Sequence, residues 1–169
     1  TATRLLIERV VRKAQRAGFR IVQYTIQSNH LHLLVEADGD RAYSSGMRGL
    51  MRRLVHGLNA LWERRGSVFP ERFHDRVLRS LRQVRNALRY VLNNHLKHGH
   101  GPAVDGGRVV GDPYSSARWF DGWREDDARS RGGGGRAPVV VRGGWKLSVG
   151  WRRYALLGRA ESPALAAAG

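Results

Sequence analysis

The chain has 169 residues, 41% of them hydrophobic, the size of one domain plus a tail with enough apolar side chains for a core. Thirty Lys and Arg against fourteen Asp and Glu give a formal charge of +16 and a pI near 11.6, far beyond what solubility requires. The natural partner is a polyanion, nucleic acid before an anionic membrane surface. No stretch approaches the roughly 20 apolar residues of a membrane-spanning helix, and no signal-peptide pattern opens the chain. The absence of cysteine excludes disulfides and a thiolate zinc site, so a cytoplasmic protein held by packing alone is expected. The chain enters a helical pattern directly at Thr1, which points to a missing upstream piece.

"ATRLLIERVVRKAQRAG" places Leu5, Leu6, Val10 and Ala14 at helical spacing, with Gly18 as a stop. "FRIVQYTI", the polar "QSN" and "HLHLLVEA" then read as an antiparallel hairpin. From about Tyr43 to Arg65, Met47, Leu50, Met51, Leu54, Leu58, Leu61 and Trp62 recur every three or four residues, the clearest helix in the chain. "SVFPERFHDRVLRS" reads as an extended stretch interrupted by Pro70, a residue confined to strand edges, starts or bulges. "SLRQVRNALRYVLNNHLKHG" follows as a helix capped by Ser80 and ended by Gly99. The order helix, strand, strand, helix, strand, helix, completed by one missing N-terminal strand, predicts an α+β fold. It has a ferredoxin-like antiparallel sheet with helices on one face and a further helix packed near it. Beyond Gly99, "HGHGPAVDGGRVVGDP" and "RSRGGGGRAP" have the composition of loops, whereas "DPYSSARWFDGW" and "GGWKLSVGWRRYALLG" could each form a short helix or strand. Gly132–Gly135 read as a flexible hinge before a basic tail, and Trp119, Trp123, Trp145 and Trp151 are candidates to dock on the core.

Three groups of residues carry chemistry. His30 and His32 are two apart on a strand and so share one face, while Leu31, Leu33 and Val35 line the other. Two imidazoles on one face can share a metal ion, but alone they fit a structural or phosphate-binding role equally, and a catalytic metal site needs a third ligand. On the last helix, with Leu81 at zero and 100° per residue, the apolar positions cluster between about 280° and 20°, whereas Tyr90 falls at about 180° and Asn94 at about 220°. Tyr90 and Asn94, one turn apart, thus project away from the apolar stripe; a surface tyrosine packed on a loop would also look like this. Two imidazoles and an amide oxygen can hold Mg²⁺ or Mn²⁺ with positions open for water and a phosphate oxygen. Tyr90 is then the candidate nucleophile, although a phenol, with its ordinary pKa of about 10, attacks poorly until ionised. Arg72, His74 and Arg76 alternate along "RFHDRVL" and would share one face of the expected strand. Arg48, Arg52 and Arg53 follow the exposed side of the long helix, as either a solvated face or a DNA track. His56, His98 and His100 lack any motif context.

At these residues the sequence resembles a family. "SNHLHLLVEA" is similar to the HUH motif (His, hydrophobic, His), and "RYVLNNHLKHG" to the tyrosine helix of single-tyrosine HUH transposases. The group that includes the REP-associated tyrosine transposases has the greatest likeness. "GSVFPERFHDRVL" resembles the strand between the motifs and "DPYSSARWF" a segment that follows the helix, so the resemblance spans roughly Arg4 to Phe120. It implies a catalytic domain over residues 1–100, a family-like extension over 101–131 and a Gly-rich linker and tail over 132–169. It further implies a divalent metal held by His30, His32 and Asn94, and Tyr90 attacking single-stranded or hairpin DNA to give a 5′-phosphotyrosine and a free 3′-OH. Phosphate contacts from Arg72, His74, Arg76, Arg48 and Arg52, a monomer or homodimer, no membrane association and a place beside the bacterial nucleoid complete the expectation. His95 stands where the family usually has Pro, which predicts a longer helix. The rival readings are an RNA- or single-strand-binding ferredoxin-like module and a domesticated, non-catalytic relative. Binding modules of the first kind present aromatic side chains on the open face rather than imidazoles.

Overall fold

Thr1 opens helix α1 (Ala2–Ala14), its hydroxyl accepting the Arg4 N–H, and Leu6, Ile7, Val10, Val11 and Ala14 form the buried stripe. The structure is a computed structural model that describes residues 1–70, 73–97, 103–105, 108–125, 136–140 and 143–163. Arg72, His98, His100, the expected stop at Gly99 and Gly132–Gly135 lie outside the described residues. The helix ends at Gln15, short of Gly18, because the Gln15 side chain clasps the Ile21 backbone, accepting its N–H at 2.8 Å and donating to its carbonyl at 2.9 Å. Arg16 and Phe19 exchange two backbone hydrogen bonds across the tight turn that follows, where Gly18 takes φ +78°.

Strands β1 (Phe19–Ile26) and β2 (Leu31–Ala37) pair antiparallel, with Thr25 opposite His32 and Tyr24 opposite Leu33. A bulge between Ile21 and Gln23 changes the alternation, so Phe19 and Ile21 before it and Tyr24 and Ile26 after it all join one core. Leu31, Leu33, Val35 and Ala37 add to that face, which is covered by α1 and by α2 (Asp40–Leu61) through Met47, Leu50, Leu54 and Leu58.

The opposite face carries Leu34, packed under α3 (Leu81–Leu92) by Val84, Leu88 and Leu92. Ser80 and Gln83 form a capping box at its start. The expectation of helices on one face is thus corrected: α1 and α2 lie on one side and α3 on the other, because the two-stranded sheet has an apolar set on each surface. The helix breaks at Asn93 and resumes as α4 (Asn94–Lys97), so His95 in place of Pro does not lengthen it. A short antiparallel pair, β3 (Ala103–Asp105) with β4 (Arg108–Val110), follows.

The third strand expected over 67–80 is not formed among the described residues, which run there without regular structure. Its physical competitor is visible on the outer edge of β1. Ile26 N–H donates to the Tyr114 carbonyl at 2.8 Å, Val140 N–H to the Ile21 carbonyl at 3.0 Å, and Thr25 bridges to Ser115. Ser116 completes the seam, its hydroxyl accepting the Tyr24 N–H at 2.9 Å and contacting Gln23 Oε1. The start of the 73–79 segment instead leans on α2, where the ring of Phe73 meets Tyr43 edge to face at 6.4 Å, and Leu78 packs against the α3 cluster. Burial, with a hydrogen bond to Asp75, pushes the Tyr43 phenol up to about 12.

The segment read as a tail is core-forming where described. Val139 joins the α1–α2 cluster, while Trp151 and Leu157, both 0% exposed, join the α3 cluster beside Trp123 and Phe120. Helix α5 (Trp145–Ser148) leads into this stretch, and Trp145 itself is exposed. Farther on, Glu161 accepts hydrogen bonds from Arg85 at 3.0 and 3.1 Å and from Arg89 at 3.0 Å. Asn93 Nδ2 donates to the carbonyls of Gly158 and Glu161. Among the described residues no helix is long and apolar enough to cross a membrane.

Candidate active site

Because His32 alternates with Leu31 and Leu33, it faces α3 rather than the α1–α2 core. His30 lies just before β2, in the turn closed by the Gln27 N–H to His30 carbonyl bond of 2.8 Å. The two imidazoles are stacked, 5.8 Å between centroids and 20° between planes. The ring of Tyr90, from the last turn of α3, meets His32 edge-on at 5.2 Å and 80°. Residues from a hairpin and from a helix far along the chain thus form one cluster. His30 is exposed and His32 and Tyr90 are half-buried, so all three residues are in part open to solvent.

The site has supports that sequence reasoning did not single out. His30 Nδ1 is in hydrogen-bond contact with Asn29 Oδ1; with Nδ1 donating, Nε2 keeps the lone pair that a metal ligand needs. The ammonium of Lys97 lies 5.6 Å from the centroid of the Tyr90 ring, within cation–π range, and sets a positive charge beside the phenol. Its spacing of seven residues from Tyr90, two helical turns, was the available signal. Behind the imidazoles, Thr25 donates to the buried Asp112 carboxylate at 3.2 Å and accepts from Gln27 Nε2 at 2.7 Å, tying the hairpin to 112–116. No local pattern marks that pairing.

Asn94 departs from its expected place. It is 1% exposed, and both amide atoms are buried without a hydrogen-bond partner among the described residues. The break at Asn93 explains why the wheel drawn for a continuous helix misplaced it. A buried amide left unpaired costs about 1–3 kcal/mol, and the Asn94 carbonyl oxygen is a donor type that Mg²⁺ or Mn²⁺ accepts. No group of three or more His, Asp or Glu placed to hold a metal occurs among the described residues. His95, next in sequence, is buried as well.

The remaining predicted residues are scattered. His74 and Arg76 are exposed on the irregular 73–79 segment, not aligned on a strand face, because the expected strand does not form. Arg48 and Arg52 are exposed on α2, across the sheet from the histidines. Of the other buried tyrosine, Tyr24, burial and the Glu8 carboxylate push the ionisation far above the ordinary range. It is enclosed in the α1–α2 core, whereas Tyr114 and Tyr154 are exposed and the half-buried Tyr90 is in ring contact with His32.

Comparison of the chain with protein-family models, with curated proteins and with solved structures finds no match.

Proposed function

We propose that the protein is a metal-dependent, single-tyrosine DNA strand transferase of the HUH type, acting on single-stranded or hairpin DNA. In this reading the β1–β2 hairpin belongs to a ferredoxin-like sheet. The observation that carries it is the cluster of His30, His32 and Tyr90, three side chains that the resemblance assigns to one reaction and that come together across β2 and α3.

His30, His32 and Asn94 would hold Mg²⁺ or Mn²⁺, which polarises the scissile phosphodiester and offsets the charge that develops on it. Tyr90 Oη forms a bond to phosphorus as the bond from phosphorus to the 3′ oxygen breaks. The electron pair leaves on that oxygen, which takes up a proton as a 3′-OH, and the phenolic proton passes to solvent. The 5′-phosphotyrosine keeps the bond energy, so attack by another 3′-OH reverses the step. Lys97 supplies a cation beside the reacting phosphate, and the wedge of His32 against Tyr90 limits where the phenol can point.

The test is a covalent-adduct assay: protein with labelled hairpin oligonucleotides and Mn²⁺, with or without EDTA, beside Tyr90→Phe, resolved on a denaturing gel. A metal-dependent band that Tyr90→Phe abolishes supports the reading. Oligonucleotide binding with no adduct across a hairpin library would leave a binding module in its place.

A further inference from the structure

On the far side of the sheet from Tyr90, α1 and α2 enclose an open groove of about 480 Å³. Leu6, Val10 and Gly57 line it, with Arg9 and Lys13 contributed by α1 and Arg52, Arg53 and His56 by α2. The helices meet closely because position 57 has no side chain: a Cβ there would stand 3.0 Å from Leu6. Arg9 and Lys13 are four apart and so lie on one face of α1, as do Arg52 and His56 on α2. Two rows of cations therefore flank an apolar floor.

No carboxylate lines this groove, and no ion pair among the described residues involves Arg9, Lys13, Arg52 or Arg53. Arg53 spends one N–H on the Gly49 carbonyl at 3.1 Å. Like charges held on facing helices repel one another, and an anion running between them removes that repulsion. A phosphate-sugar backbone has the matching form, with charges at its edge and less polar sugar toward the floor. A lipid headgroup plane is flat and would touch only the crests of the two helices.

We infer that the α1–α2 groove is a second nucleic-acid site that holds the phosphate backbone of a segment remote from the Tyr90 cluster. The inference rests on the proposed function only in naming DNA as the polyanion. A strand held there extends across the molecule from the cleavage site, so the groove contributes affinity without touching the reacting phosphate.

The test compares Arg9→Gln/Lys13→Gln/Arg52→Gln/Arg53→Gln with a control that loses the same number of exposed charges elsewhere, Arg41→Gln/Arg65→Gln/Arg79→Gln/Arg153→Gln. Both are assayed by fluorescence anisotropy on a labelled hairpin oligonucleotide from about 50 to 200 mM salt, after circular dichroism has shown wild-type folding. The groove variant is expected to lose about three units of the slope of log affinity against log salt, at 0.7–0.9 per phosphate released, and the control less than about one. Equal losses in both variants would overturn the inference. So would unchanged oligonucleotide binding with loss of binding only to phosphatidylserine vesicles. An adduct formed by a groove variant with unaltered slope would remove the groove and leave the strand transferase, and the altered slope without any adduct would do the reverse.

Discussion

The imidazole of His32 stands edge-on to the phenol of Tyr90, 5.2 Å between centroids, where the hairpin meets the last turn of α3. Tyr90→Phe keeps the ring and removes only the hydroxyl, so stability should stay within about 0.5 kcal/mol of wild type while the adduct disappears. His32→Ala removes the ring contact and should cost about 1 kcal/mol. Urea denaturation of both variants measures the difference; a large loss for Tyr90→Phe would make the hydroxyl a structural group.

Asn94 gives a way to separate ligand from filler. Asn94→Leu replaces an unpaired buried amide by an apolar group of similar size, so the metal-free protein should be as stable as wild type or more stable by about 1 kcal/mol. Manganese at a hundredfold excess over its Kd should stabilise the wild type by about 2.7 kcal/mol, and EDTA should remove the gain. Thermal scans of Asn94→Leu should show no such gain. An equal gain in the variant would take Asn94 out of the ligand set.

Glu161 links pH to the anchoring of α3. Burial pushes its carboxyl up, but hydrogen bonds from Arg85, the Gly158 N–H and Arg89 together hold it below the usual carboxylate value of 4.5. A carboxyl depressed in the folded state adds stability that is present above its unfolded pKa and is lost as pH falls through the folded one. Glu161→Gln should therefore cost about 2 kcal/mol at neutral pH, and the gap between wild type and variant should close below about pH 4. Denaturation midpoints measured across pH 3 to about 7 give the result; a gap that persists in acid would show that packing rather than charge is lost.

Gly46 lies on α2 against the face of Phe19, and a Cβ built there overlaps that ring. Gly46→Ala should destabilise by about 1–3 kcal/mol through overpacking, despite its better helix propensity, and Phe19→Leu in the same chain should return part of the loss. Additive losses in the double-mutant cycle would mean that the ring already moves aside.

The parts of this molecule legible in the sequence are those written in local periodicity. Leu31, Leu33 and Val35 alternate and line one face, the α2 leucines repeat every three or four residues, and Ser80 with Gln83 caps α3 as its spacing indicates. The same alternation put His32 on the face that α3 covers. What is not local was not legible. The edge of β1 is taken by Tyr114, Ser115 and Val140, whose segments look like loops, so the strand expected near Phe73 has no place there. Leu157 lies beyond a glycine run and reads as tail, yet it completes the α3 core beside Trp151, one of the tryptophans expected to dock there. Asn94 was misplaced because one residue, Asn93, leaves the helix to bond Gly158 and Glu161.

The Arg85 contact with Glu161 spans 76 residues, and that distance sets a delay during synthesis. At about 5–20 residues per second, roughly 4–15 s pass between the emergence of one partner and the other. For most of that interval Leu88 and Leu92 have no Trp151 to cover them. A nascent chain at this stage carries Tyr90 on a helix that still lacks its contacts with Trp151 and Glu161. The packing behind Tyr90 is therefore complete only after Glu161 has emerged, and until then the uncovered leucines are a surface for chaperones.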